Sequence, residues 1–440
     1  MRVAMLALAA CAAIGCGPSS TGRPDSGEGD IDACVGLGCR VVNDCAARGK
    51  PETTLSGTVF APNGTLALFG ATVYVPFDDP GPLQPGVQCE RCQTLLPGGS
   101  VADTTSDAAG KFTLTRVPSG RNVPVVIQIG KWRRKVDIPE VLECTDNPIP
   151  ANLTSLPKNK NEGDIPKIAV VTGNCDALEC LIKKLGVSPS EFTSASGDGR
   201  VHLYTANGAN SLQNGTMLTP ASDLTLNLDK LKEYDIAMFS CECSPNPLGK
   251  PQQAMDNMKA FADAGGRIFL SHYNNIWIDG ERGLPSHAPQ VWPAIATCEA
   301  DEFPEVDGHI EQVDNPKGAA FAMWMQNVMG SSVNGIVPIE SGSGRTTCTS
   351  IDKTKATRWV YFQEGSQQYP QNFQFTTPNE AGPEARCGRV VFSDMHVSSS
   401  STSSAGTGFP MGCSSDPLTP QEKALAFMFF DISSCVGQIF

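Results

Sequence analysis

The chain is 440 residues long, 40% hydrophobic and carries a net charge of −13. That length sets a prior of two or three domains with real cores, and the acidity argues against nucleic acid as a partner, because phosphate binding needs clustered Lys and Arg. Seventeen cysteines are too many for an ordinary cytosolic enzyme, and in an exported chain they point to a disulfide framework ahead of zinc or redox chemistry.

The address is written at the start. In MRVAMLALAACAAIGC one Arg precedes an apolar run too short to span a bilayer, and small residues lead into a cysteine, which is the layout of a secretory signal. Ala13-Ile14-Gly15-Cys16 resembles a bacterial lipobox, whose cysteine becomes the lipidated first residue of the mature chain. Residues 1–16 are therefore read as a lipoprotein signal peptide and Cys16 as the lipidation site. Leu8-Ala9-Ala10-Cys11 fits the same pattern, but cleavage there leaves an apolar core of only about eight residues. Secretion without a lipid is the alternative. No other stretch reaches the roughly 20 apolar residues of a spanning helix, so a lipid is the expected attachment to the bacterial envelope, at the outer membrane or cell surface.

Residues 17–51, rich in Gly, Ser, Asp and Pro, read as a tether. Cys34, Cys39 and Cys45 lie in it, and an odd number implies that at least one pairs outside it. Over 52–146 the hydrophobic period is two: LSGTVFAP, GATVYVPF, TTSDAAGKFTLTRVPSG and VPVVIQIGKWRRKVDI alternate between Asn-Gly, Asp-x-x-Gly and Pro-Ser-Gly turns. This spacing predicts a small antiparallel β-sandwich. The basic run Lys131-Trp132-Arg133-Arg134-Lys135 reads as a solvated strand face. Gly57-Thr58-Val59, Asp107-Ala108-Ala109-Gly110-Lys111-Phe112-Thr113-Leu114 and Val117-Pro118-Ser119-Gly120 resemble the signature of the carboxypeptidase regulatory-like (prealbumin-like) domain. That resemblance implies a stabilising or adhesive module. An insertion over 77–99 holds Cys89 and Cys92, for which a structural disulfide role is expected over half a zinc site or a redox pair.

Residues 147–164 read as a linker. From 165 to 440 strands and helices alternate, which predicts a flavodoxin-like α/β domain with a mostly parallel sheet. Ile168–Thr172 is a buried strand that turns through Cys175 and Asp176 into a helix over Ala177–Leu185. Val201–Thr205 is a strand and Leu224–Glu233 a modest helix. The strand Asp235–Ser240, an amphipathic helix over Gln252–Ala264 ended by Gly265-Gly266, and the strand Ile268–Leu270 form a right-handed βαβ unit. A long insertion over 274–315 follows, then a helix over Ala319–Val328 and strands at Thr357–Phe362, Phe373–Thr376 and Arg389–Ser393. Thr419 and Pro420 fit the N-cap and first position of a last helix.

In this order IAVVTG, YDIAMFS, AGGRIFLSHY and GRVVFSDMHV resemble the class I glutamine-amidotransferase-like fold, including its trehalose-utilisation-type members. In the catalytic family the strand after the Gly-Gly turn ends in an elbow bearing a nucleophilic cysteine, and a later strand supplies His and Glu. Here the elbow is Leu270-Ser271-His272-Tyr273, and Asp394-Met395-His396 stands where His-x-Glu belongs. The resemblance therefore implies the fold without the amidotransferase chemistry.

Ligands of open α/β sheets collect beyond the carboxyl ends of the strands. That rule brings Cys175, Asp176, Cys180, Cys241, Glu242, Cys243, His272 and His396 to one rim. Disulfides joining Cys175 or Cys180 to Cys241 or Cys243 are the leading reading, with zinc and unpaired thiols as alternatives. Cys413 and Cys435 flank the last helix and are read as pinning it to its preceding loop. A catalytic arrangement would use Ser271 or an activated water as nucleophile, His396 or His272 as base, and Asp394 or Glu242 as orienting acid. Trp277, Trp292, Trp324 and Trp359 are candidates for a sugar or peptide groove, the first two with the better case for exposure, although core is the commoner place for tryptophan. The resulting expectation is a lipid-anchored extracytoplasmic binding or structural protein. Its ligand would be a carbohydrate, a peptide or an envelope protein, with no cofactor or metal assigned. The alternatives are an extracytoplasmic hydrolase acting on a sugar or amide, and a scaffold subunit of an envelope complex.

Overall fold

The computed structural model describes residues 36–92, 96, 98–280, 292, 294–298, 307–340, 344–397 and 404–436. The expected signal peptide, with Cys11 and Cys16, and Cys34 of the expected tether lie outside the described residues. Seven strands come first: β1 (Thr54–Thr58), β2 (Thr72–Pro76), β3 (Ser100–Thr105), β4 (Lys111–Thr115), β5 (Gly120–Ile129), β6 (Trp132–Val141) and β7 (Asp146–Pro148). Period-two patterning is clearest in β4, where Phe112 and Leu114 point inward while Lys111, Thr113 and Thr115 face water; β2 is buried throughout. The strands form two sheets, ordered β4-β1-β7 and β3-β2-β5-β6. Leu55 and Leu114 of the first share a buried core with Val73, Val75, Val125 and Ile127 of the second.

The sandwich is mixed where an antiparallel one was expected, because β7 runs parallel to β1. The hydroxyls of Thr54 and Ser56 both donate to Asp146, at 2.6 and 2.7 Å, and hold β7 in that register. Residues 36–51 are stitched to the sandwich. Arg40 donates to the carbonyls of Ser119 and Arg121, each at 2.7 Å, and Cys45 is bonded to Cys144. The basic run is only partly a solvated face. Lys131 and Arg133 are buried, Lys131 Nζ lies 2.6 Å from Asp235 and Arg133 Nε 2.9 Å from Asp164, so cations of the sandwich are paired across to the following segment.

The second part contains β8 (Ile168–Thr172), α1 (Leu178–Lys184), β9 (Phe192–Ser194), β10 (Val201–Thr205), β11 (Ser211–Leu212), β12 (Thr219–Pro220), α2 (Ala221–Thr225), α3 (Leu228–Lys232), β13 (Ile236–Phe239), α4 (Gln252–Asp263) and β14 (Arg267–Ser271). After these come α5 (Ile276–Asp279), β15 (Ala296–Cys298), β16 (Gly308–Ile310), α6 (Gly318–Asn327), β17 (Ile336–Val337), β18 (Cys348–Ile351), β19 (Thr357–Glu364), β20 (Gln367–Thr377), β21 (Gly388–Ser393), β22 (Gly408–Phe409) and α7 (Pro420–Ser433). The large sheet has the order β12-β10-β8-β13-β14-β21-β20-β19-β16-β17, with β9 beside β10. From β12 to β21 every pairing is parallel; from β21 to β17 every pairing is antiparallel. The sheet is therefore mixed, and the expected parallel run covers only part of it. β19 and β20 are joined by a tight hairpin, a connection that only antiparallel strands can use.

Local signals placed most elements. In α4 the stripe Ala254, Met255, Met258, Phe261 and Ala262 is buried, as the three- and four-residue spacing predicts. Thr419 caps α7 in a reciprocal capping box with Glu422. The single helix expected over Leu224–Glu233 is instead two, because Asn227 adopts an extended backbone and its side chain caps α3 by accepting from the Lys230 amide at 3.0 Å.

The helix α7 joins the two parts. It is apolar on nearly every side, the pattern of a fully enclosed helix. Phe427 stacks on Phe69 from the sandwich and also meets Phe321 and Trp324 of α6 and Trp359 of β19, with ring centroids 6.0, 4.5, 5.2 and 5.6 Å away. Trp132 of β6 packs edge-on against Phe429 and Phe430. Gly130, in the turn between β5 and β6, has φ +53, and a Cβ there would sit 1.8 Å from the Ser433 carbonyl oxygen, so only glycine admits the end of α7.

Six cystines join described residues: Cys45–Cys144, Cys89–Cys387, Cys92–Cys435, Cys175–Cys243, Cys180–Cys413 and Cys298–Cys348. Cys413 and Cys435 do pin segments around α7, but to α1 and to the 77–99 insertion and not to each other. Such a set belongs to an oxidising, extracytoplasmic environment. No helix among the described residues is long and apolar enough to cross a membrane.

Phe427→Ala tests the shared core. Opening that cavity is expected to cost about 3–5 kcal/mol in denaturant unfolding of the oxidised chain, and a loss below about 1 kcal/mol would contradict the packing described.

Candidate functional site

Because β8, β13, β14 and β21 run parallel, their chain exits fall on one edge of the sheet. The chain leaves β8 toward β10 on one side, while β13, β14 and β21 lie on the other, so the crevice between β8 and β13 is where strand order reverses. Gly173 makes that junction close. A Cβ there would sit 2.2 Å from the Cys241 carbonyl oxygen, and the Cys175 amide donates to the same oxygen at 3.0 Å. The Cys175–Cys243 cystine then locks the two turns together.

One buried carboxylate gathers the other exits. Asp176 accepts from the Ser271 hydroxyl at 2.5 Å, from the Ala177 amide at 2.8 Å and from the Val397 amide at 2.9 Å. The turn after β8, the end of β14 and the loop after β21 are thus tied to a single side chain. Beside it Cys241, His272 and His396 meet. Cys241 Sγ lies 3.2 Å from His272 Nδ1, the two imidazole centroids are 5.0 Å apart, and one ligand atom from each residue falls within 4.8 Å of the others. Their exposures are 0%, 2% and 5%, so the cluster is sealed from bulk water. His272 sits in the left-handed region with φ 46, an uncommon conformation that a non-glycine residue adopts only when its surroundings enforce it.

Burial pushes the Cys241 thiol up to about 12, against the smaller opposing pull of the Cys243 and Tyr273 amides. At neutral pH it is a thiol, not a poised nucleophile. A soft sulfur with two imidazole nitrogens is nevertheless a donor set suited to a transition-metal ion.

The residues of the expected catalytic relay take up different partners. His272 and His396 come together. Ser271, by contrast, donates to Asp176 and not to an imidazole. Asp394 accepts from the Thr347 and Cys348 amides at 2.9 and 3.4 Å, and so organises the strand that begins at β18. Glu242 pairs with Lys250 at 2.8 Å and accepts from Asn246 at 2.5 Å, on the crevice side.

Of the disulfide candidates, Cys241 is corrected: among the described residues it is the free cysteine, because Cys243 two residues on takes the partner in the β8 turn. Cys180 pairs with Cys413 and not with the β13 loop. Cys89 and Cys92 each reach a distant segment. Trp277 and Trp292 are core residues, each about 1% exposed and packed on Phe239 and Phe375 respectively; Trp277 alone of the two also borders the cavity described below. The grouping of Cys241 with His272 and His396 on one rim was expected, but a disulfide was ranked ahead of the unpaired thiol that Cys241 is.

Next to the cluster lies an open cavity of about 280 Å³ at the β8/β10/β13 ends. Its walls include Thr205, Asn207, Glu242, Asn246 and Lys250 above an apolar floor of Phe239 and Trp277. On α1, Glu179 is 0% exposed and neither carboxylate oxygen has a hydrogen-bond partner among the described residues. Burial pushes it up to about 8, with Asp176 adding to the rise.

No protein-family model and no curated protein matches the sequence. Among solved structures, the chain is similar to a ThuA-like protein from Bacteroides uniformis, at 11% identity over 60% of this chain and 88% of the other, with a TM-score of 0.33. A cytoplasmic protein from Salmonella typhimurium is matched at 11% identity over 62% and 100%, with a TM-score of 0.31. A β-galactosidase from G. stearothermophilus is matched at 9% identity over 63% and 32%, with a TM-score of 0.27. At these scores the likenesses carry no argument about activity.

Glu179 gives a pH test with a definite sign. Its folded value, about 8, is above the ordinary 4.5, so the unfolded chain ionises first and wild-type stability is lost as pH rises from 4.5 toward 8. Glu179→Gln is expected to be more stable than wild type by about 2–4 kcal/mol near pH 8, with the advantage shrinking toward pH 4. A pH-independent difference in chemical unfolding would refute the assignment.

Proposed function

We propose that this is an exported, lipid-anchored binding protein that takes a small polar ligand of carbohydrate type in the crevice at the carboxyl ends of β8, β10 and β13. The observation that carries the reading is the cavity itself: about 280 Å³, at the point where strand order reverses, with hydrogen-bonding side chains over a ring-bearing floor. Glu242 and Lys250 neutralise one another, and Asn207 and Asn246 add amide groups, so the walls offer donors and acceptors without net charge. A polyhydroxylated, uncharged ligand suits such walls better than an ion does. The order β10-β8-β13-β14-β21 supports a flavodoxin-like sheet of the amidotransferase-like kind. The sandwich would then be a carboxypeptidase regulatory-like display module, and Cys16 the lipid anchor at the envelope. Nucleic acid is not a partner in this reading.

Titrating the mature chain with a panel of mono- and disaccharides by calorimetry and tryptophan fluorescence tests the ligand class. At least one is expected to bind, with Lys250→Met and Asn246→Ala each weakening it about tenfold or more, as the loss of a polar contact predicts. A panel without a binder, or binding indifferent to both substitutions, would sink the reading. Independently, Cys16→Ser is expected to move the protein from the membrane fraction to the soluble exported fraction, and membrane retention of that variant would remove the lipid anchor.

A further inference from the structure

We propose that Cys241, His272 and His396 form a buried binding site for a divalent transition-metal ion of the zinc type, with these three side chains as its protein ligands. The inference stands on side chains outside the walls of the crevice, and it does not depend on the carbohydrate reading.

The donor set comes first. Zinc accepts thiolate sulfur and imidazole nitrogen at about 2.3 and 2.0–2.1 Å in a tetrahedron, which separates neighbouring donors by roughly 3.3–3.6 Å. Cys241 Sγ and His272 Nδ1 are already 3.2 Å apart, and all three donor atoms lie within 4.8 Å of one another. Formation of the metal–sulfur bond releases the thiol proton to solvent, while both imidazoles bind through neutral nitrogen.

The scaffold is built for fixed positions. Cys241 follows β13, His272 follows β14 and His396 follows β21 by three residues, so each ligand hangs from the end of a buried strand. Asp176 ties the second and third exits, and the Cys175–Cys243 cystine holds the first. The Gln421 side chain also donates to the His396 carbonyl at 2.8 Å, anchoring that backbone to α7. His272 keeps a left-handed backbone, and that conformation coincides with its ring meeting the Cys241 sulfur.

The redox setting is a second, independent observation. Cys241 is the free cysteine among the described residues, while its neighbour Cys243 and twelve other described cysteines are disulfide-bonded. A buried thiol beside two buried imidazoles is an unusual use of cysteine in a compartment that oxidises thiols. The rival is an ordinary core cluster in which the thiol hydrogen-bonds one imidazole and takes no ion.

Cobalt(II) discriminates between them. The purified, oxidised, full mature chain is stripped with chelator, titrated with Co(II), and read by absorption spectroscopy. A site as described takes one equivalent, shows a sulfur-to-cobalt charge-transfer band in the near ultraviolet together with intense four-coordinate visible bands, and gives up the cobalt to Zn(II). Cys241→Ser is expected to lose the charge-transfer band, and His396→Asn to weaken binding by more than about tenfold, since even outer-shell changes cost that much. Far-ultraviolet circular dichroism and the intact-disulfide mass establish that the variants fold. A second measurement needs no variant: excess Zn(II) should raise the thermal unfolding midpoint of the chelator-stripped wild-type chain, because an ion held only by the folded state stabilises it. Absence of the charge-transfer band in wild type, equal cobalt uptake by wild type and Cys241→Ser, or an unfolding midpoint unmoved by Zn(II) would each overturn the proposal, whatever the carbohydrate panel returns.

Discussion

The carboxylate of Asp176 is the contact on which the rim depends. Parallel strands deliver their carboxyl ends to one edge of a sheet, but the loops that follow diverge unless something holds them. Here a single buried side chain accepts from the turn it belongs to, from Ser271 at the end of β14, and from Val397 beyond β21. Three bonds to one acceptor fix relative positions that no two-residue contact could fix. A buried acceptor with its donors withdrawn is costly, which makes the arrangement close to all-or-none. Cys241 is brought in separately, by the backbone approach that Gly173 permits and the cystine that closes it.

Behind the rim, α7 supplies rigidity. Its aromatic side chains meet the sandwich on one side and α6 with β19 on the other, so both parts of the chain bury apolar surface on the same helix. Buried ion pairs mark its two ends: Lys184 with Glu422 at 2.8 Å near the start, Arg389 with Asp431 at 3.0 Å near the close. Such pairs add little net stability but tolerate few alternative positions, so they act on register more than on strength. The cystines from Cys89 and Cys92 then bind the surface insertion to Cys387 and Cys435, just before β21 and just after α7. Cross-links of that sequence separation restrict the unfolded chain most where the insertion has little core of its own.

How much of this was legible depends on range. The α4 stripe, the Thr419 cap and the strands at 168–172, 201–205 and 236–239 were written locally, because periodicity and capping act within a few residues. The convergence of Cys175, Cys241, Cys243, His272 and His396 on one rim followed from a topological rule and needed no contact information. Cys175–Cys243 was among the expected pairings, but the long-range cystine partners were not legible: Cys180 meets Cys413 across 233 residues of chain, and no spacing encodes that. The burial of Trp277 and Trp292 was missed because a stretch without periodicity looks like a surface loop, whereas these two side chains pack on Phe239 and Phe375. The antiparallel half of the sheet was missed for a related reason. A short apolar strand carries no sign of its direction, and only the tight β19–β20 connection reveals it.

The role of Cys241 turns on geometry that sequence statistics obscure. With cysteines throughout an exported chain, the default is that each finds a partner, and two loops with two cysteines each suggest a symmetrical cross-stitch. The structure breaks that symmetry by helix position: Cys180 lies inside α1 and faces the loop carrying Cys413, which leaves Cys175 alone to meet the β13 turn. Only one of Cys241 and Cys243 can then be oxidised by it. The backbone places Cys243 outward with φ 67 and turns Cys241 into the core, where its nearest polar neighbour is an imidazole held by an equally uncommon backbone. The same cross-link that makes the rim rigid therefore leaves one sulfur reduced and points it at two histidines.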